Sequence, residues 1–135
     1  MNEQSVMTAL ALERKRYTAL TEVMELTEEL SQAFQRQDQV SVQMFLRMRQ
    51  EPVNQLREYQ ALERKQQAEL SEADAQSLRE LLSGKGMGQT PQAQSLARLA
   101  GQNRALLERV IRADRQISVK LGGKKSFYTQ QKRTP

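Results

Sequence analysis

The chain contains no cysteine and no histidine among its 135 residues. Without cysteine there is no disulfide framework and no thiol nucleophile, which fits a cytoplasmic protein. The two absences together remove zinc-finger ligand sets, Ser-His-Asp triads and the Glu-x-x-His pairs of di-iron bundles. No cofactor, no metal and no enzymatic role is therefore expected. Aromatic residues make up only 4 % of the chain, with 6 glycines and 3 prolines. That is too little turn and pleated-surface material for a sandwich or barrel. No apolar run approaches the roughly 18 residues that a membrane-spanning helix needs, so stable membrane insertion is not expected. Glu13, Arg14, Lys15 and Arg16 interrupt the apolar stretch a signal peptide would require.

Charge is plentiful but unevenly placed. The formal net charge is +5, and Lys120, Lys124, Lys125, Lys132 and Arg133 all follow residue 119 with no acid among them. Residues 1–119 are thus formally neutral, sixteen cations against sixteen acids. A nucleic-acid binder wants its basic face on the folded part, so nucleic acid is not expected as a partner.

What remains is helical periodicity. Leu96, Leu99, Asn103, Leu106, Val110, Ala113, Ile117 and Leu121 recur at steps of three and four, one side chain per turn on a single face. Leu107 and Ile111 widen that stripe, while Gln102, Arg104, Glu108, Arg112 and Asp114 face away. Such a helix is marginal alone and must bury its stripe against partners. It follows Thr90 as cap and Pro91 in the first turn, where a missing donor does no harm, and stops at Gly122-Gly123.

Upstream, a first helix is predicted over about Glu3 to Gln37. Val6, Leu10, Tyr17, Leu20, Met24, Leu30 and Phe34 form its stripe, Val23 and Leu26 lie beside it, and Glu13, Thr27 and Ser31 interrupt it. Asp38 suits the cap of a second helix running to Leu70, with Pro52 inside it forcing a kink near Arg49 to Glu51, or a break. Two long helices on so short a link must fold back antiparallel. Ser71 to Asp74 reads as the start of a short helix through Ser83, closed by Gly84 in the left-handed conformation. The architecture expected is all-α: an elongated antiparallel hairpin or bundle of three long helices plus one short one. Residues 1–121 form the bundle, and 122–135 a flexible, disordered basic tail.

Several features carry two readings. Gly84-Lys85-Gly86 resembles a phosphate loop, but Arg79 stands where its first glycine should be and Gly86 where Ser or Thr should be; an interhelical connector fits better. Asn103, polar in an apolar seam, either fixes register across helices or faces a solvated part of the bundle. Met24, Met44 and Met48, with Met7, either fill the core or serve an adaptable surface. Lys124, Lys125, Phe127 and Tyr128 put aromatics beside cations in the tail, as a docking peptide or a plain solvated terminus.

These residues resemble the FlgN-type flagellar export chaperones. Leu56-Arg-Glu-Tyr-Gln-Ala-Leu-Glu-Arg-Lys65 is similar to that family's leucine-rich segment followed by basic residues. Leu96-Ala-Arg-Leu-Ala-Gly-Gln-Asn103-Arg-Ala-Leu-Leu107 is similar to its leucine, asparagine, leucine-leucine signature, and Arg36-Gln-Asp38 falls where members often carry arginine and aspartate. Phe127-Tyr128-Thr129 stands in place of the usual Tyr-Gly ending. The resemblance implies a chaperone of flagellar type III export that binds the amphipathic terminal helix of hook-associated proteins and keeps them soluble. It carries the client groove to Leu106, Leu107, Val110, Ile111 and Ile117, with Leu99 and Asn103 on the same stripe, and assigns docking at the export gate to the tail, with Tyr128 its aromatic. A monomer or weak homodimer is expected. Two other classes stay open: a homo-oligomeric coiled-coil adaptor, and a nucleic-acid or membrane-surface binder acting through the tail, whose affinity would fall steeply with salt.

Overall fold

The computed structural model describes residues 1–123, and among them every regular element is a helix: α1 (Glu3–Gln35), α2 (Gln39–Glu69), α3 (Glu72–Ser83) and α4 (Pro91–Gly123). The boundaries follow from side chains that satisfy the free amides of each first turn. The Asn2 side chain accepts from the Ser5 amide at 2.8 Å, and Asp38 from the Ser41 amide at 3.1 Å and the Ser41 hydroxyl at 2.6 Å. Ser71 accepts from the Asp74 amide at 3.2 Å and Thr90 from the Ala93 amide at 3.1 Å. The N-terminal amino group and the Ser71 hydroxyl hold the Asp74 carboxyl below the usual range.

Three boundaries differ from expectation. α1 ends at Gln35 rather than Gln37, because Gln37 takes a left-handed φ of 58° and the Asp38 amide turns back to the Ala33 carbonyl. α2 stops one residue short, at Glu69, as Leu70 becomes extended. α4 continues through Gly122 and Gly123, two residues beyond the expected bundle limit. α2 itself runs unbroken through Pro52, which is buried. The carbonyl this proline frees belongs to Met48, whose side chain is exposed, so water can satisfy it.

The organising helix is α1. α1 packs along both α2 and α4, and α3 packs mainly on α4. Eleven residues of α1 are buried, against only Val42 and Pro52 of α2. At one end Val6, Ala9 and Leu10 of α1 meet Leu78 and Leu81 of α3 and Ala93, Leu96 and Ala97 of α4. At the other end Leu30 and Ala33 meet Val42 of α2 and Ile117 of α4. α4 therefore runs parallel to α1, and α2 antiparallel to both; an ion pair between Arg49 and Asp114 joins α2 to α4. Glu13 and Thr27, which break the apolar pattern of α1, lie inside the bundle, whereas Tyr17 on the apolar stripe is exposed. Thr27 discharges its polarity locally, its hydroxyl donating to the Val23 carbonyl at 2.6 Å.

Gly84 ends α3 at φ +84°, as expected, and the Arg104 guanidinium donates to the Leu82 carbonyl beside it. Arg104 is thus a tie between α4 and the end of α3 rather than a free solvent residue. A Cβ on Gly84 would lie 2.6 Å from Arg104 Nη2. Gly84→Ala combines left-handed strain with loss of that tie, and should cost about 1–2 kcal/mol in urea unfolding.

Candidate helix-binding groove

α1 and α4 lie side by side, and on one face of the pair a groove stays open. Near the helix starts it is lined by Leu10 and Arg14 of α1 with Ser95, Arg98 and Leu99 of α4. Gln102 carries it into a second stretch, where Tyr17, Met24 and Glu25 of α1 face Leu106 and Arg109 of α4. Among the described residues only these two helices line it. Tyr17 is 45 % exposed, and Met24, Leu99 and Leu106 are half-buried, so apolar area remains in contact with water.

The expected client-binding residues divide three ways. Leu99 and Leu106 sit in this groove. Asn103, Val110 and Ile117 are buried by the protein's own helices, so they form the inner seam and cannot be a client surface in this fold. Leu107 and Ile111 lie two turns and one turn before Asp114 on its side of α4, the flank from which Asp114 pairs with Arg49 of α2. Leu107 is half-buried there and Ile111 is 41 % exposed. Apolar area on α4 thus stays open on two flanks, at Leu99 and Leu106 in the groove beside α1 and at Ile111 on the flank of Asp114. Sequence reasoning did not place Tyr17 and Met24 in a groove: Tyr17 was read as part of the buried stripe of α1, and Met24 as either core filling or adaptable surface. Lys124, Lys125, Phe127 and Tyr128 lie outside the described residues.

Behind the groove runs a buried polar layer. Asn103, fully buried, donates from Nδ2 to the Glu13 carbonyl at 2.9 Å and to Glu13 Oε1 at 3.1 Å. This settles its two readings in favour of cross-helix register. Glu13 is 1 % exposed and accepts from Arg16 Nη1 at 3.3 and 3.1 Å. Glu63 of α2 completes the layer, 3.7 Å from Arg16 Nε. Burial and the adjacent Glu13 carboxylate raise the Glu63 pKa to about 8. Burial opposes ionisation of Glu13 too, but hydrogen bonding from Glu63, the Arg16 charge and Asn103 outweigh it and lower its pKa. The two carboxyls thus share one proton near neutrality, held on Glu63, with Glu13 charged against Arg16. One turn along α2 from Glu63, Gln66 Nε2 donates to the Ser5 carbonyl at 2.8 Å, fastening α2 to the start of α1.

The exposed methionines answer a further question. Met44 and Met48 are on the surface of α2 with Val40, in an i, i+4, i+8 row, and Met7 is also exposed, while Met24 lines the groove. No described helix is long and apolar enough to cross a membrane. Compared with family models, with curated proteins and with solved structures, the chain matches none.

Proposed function

We propose that this protein is a cytoplasmic export chaperone of the flagellar hook-associated proteins, holding their amphipathic terminal helix before secretion. The observation that carries this reading is the α1–α4 groove, in which Tyr17, Met24, Leu99 and Leu106 leave apolar surface in water. Two parallel helices with an uncovered seam accept a further amphipathic helix as a bundle accepts another member, its apolar positions falling between those of the walls. The resemblance of the second and last helices to FlgN-type chaperones supplies the class of client. Ordering a disordered client costs conformational entropy, which keeps affinity moderate and release feasible. The basic tail, with Lys124, Lys125, Phe127 and Tyr128, takes the part of docking to the export gate.

The test is binding of synthetic terminal-helix peptides of hook-associated proteins, read by fluorescence anisotropy. Tyr17→Ala and Leu106→Ser should each weaken binding about tenfold, equivalent to about 1.4 kcal/mol, with the circular dichroism spectrum kept. Leu107→Ala with Ile111→Ala should weaken it less. Absence of binding by every such peptide overturns the reading. A second reading, a homo-oligomeric adaptor, draws on the row of Val40, Met44 and Met48, of which Val40 is 81 % exposed. Light scattering across concentration separates the two.

A further inference from the structure

Granting that the groove receives a helix, its charges specify which way that helix points. At the end where α1 and α4 begin, the walls bring Arg14 and Arg98 together, and no acid lines that stretch. Both arginines are exposed, and neither forms an ion pair among the described residues. In the next stretch Arg109 on one wall is answered by Glu25 on the other. The groove is therefore cationic at one end and balanced further along.

A bound helix presents different chemistry at its two ends. Its last turn carries four carbonyls without intrahelical partners and the negative end of the macrodipole, and its first turn carries the positive end. Arginine guanidiniums suit the former: they donate to free carbonyls and to carboxylates, often through two bonds at once. Two unpaired arginines beside a helix N-terminus would instead place like charge against like. The parallel course of α1 and α4 makes the same choice geometrically compatible, because an occupant with its C-terminal end at Arg14 and Arg98 runs antiparallel to both walls, as α2 does on the other side.

We propose that the α1–α4 groove takes an amphipathic helix whose C-terminal turn, bearing an acidic side chain or a terminal carboxylate, lies against Arg14 and Arg98. This rests on the groove being a helix-binding site, and adds the occupant's polarity and the chemistry of its end. The absence of cysteine makes the orientation directly measurable, since any cysteine introduced is the only one. Ser95→Cys marks the cationic end and Thr21→Cys the second stretch.

The probe is a designed amphipathic peptide of about 18 residues, roughly 27 Å as a helix. It has leucines on one face, glutamates and a free carboxylate in its last turn, and a single cysteine there. Disulfide formation should be about tenfold faster with Ser95→Cys than with Thr21→Cys, and the preference should invert when the cysteine moves to the first turn. Arg14→Glu with Arg98→Glu should weaken this peptide about tenfold while changing an amidated twin with lysines in the last turn by less than about threefold. Equal cross-linking at both sites, or equal loss for both peptides, overturns the proposed polarity while leaving the groove a binding site. If neither peptide binds, the groove reading itself fails, and the polarity with it.

Discussion

Replacing Arg16 by methionine should destabilise the protein by about 3 kcal/mol at neutral pH, measured by urea unfolding. Methionine retains most of the aliphatic packing of the arginine stem, so the loss reports the charge. Glu13 is almost wholly buried, and Arg16 is the cation beside it. Removing one member of a buried pair leaves the other uncompensated, which costs about 3–5 kcal/mol when both are fully enclosed. The partial exposure of Arg16 places the expected value at the lower end. Glu13→Gln in the same chain should recover a large part of the loss, because the neutral amide no longer needs a cation. A loss below about 1 kcal/mol for Arg16→Met would show that water, not Arg16, solvates the Glu13 carboxylate.

The second large effect is a fall of stability with rising pH. Glu63 has its pKa raised in the folded protein from 4.5 to about 8. Between those values the folded state holds a proton that the unfolded chain has released. The stabilisation is complete below pH 4.5 and is lost as pH rises through about 8, at roughly 1 kcal/mol per pH unit. Glu13 acts oppositely: its pKa is lowered, so its contribution is present above 4.5 and is lost as pH falls below that value. The stability maximum should therefore lie near pH 5, and unfolding midpoints across pH 4–9 will show it. Glu63→Gln keeps a donor facing Glu13 without a titrating proton and should flatten the curve between pH 5 and 8. An unchanged slope in that variant would assign the dependence to other groups.

Much of this architecture could be read from residue spacing. Asp38, Ser71, Gly84 and Thr90-Pro91 mark helix ends because caps and left-handed glycines are local chemistry, decided within one turn. Which helix sits in the middle is not local. α1 reads as an interrupted stripe because Glu13 and Thr27 break it, yet both are interior. Thr27 satisfies itself on its own backbone, and Glu13 is satisfied by Asn103 and Arg16. The polar interruption in the first helix and the one in the last helix are the two halves of one contact, a relation that spacing within either helix cannot reveal. The groove was legible on one wall only, Leu99 and Leu106 being named and Tyr17 and Met24 opposite them not. A wide stripe announces more than one neighbour, but not which flank each neighbour covers; here α1 takes Ile117, while Ile111 stays 41 % exposed. Arg49 and Asp114 pair between α2 and α4, a contact that neither segment reveals on its own.

The three-residue link between α1 and α2 has a counterpart in the long excursion that separates α1 from α4. Val42 finds Leu30 and Ala33 after a hairpin's worth of chain, while Asn103 reaches Glu13 across ninety positions. Closing the larger loop loses more chain entropy before any contact repays it. On that count the first two helices should pair before the last one docks. The face of α1 destined for α4 should therefore stay uncovered until residues 91–123 have been synthesised.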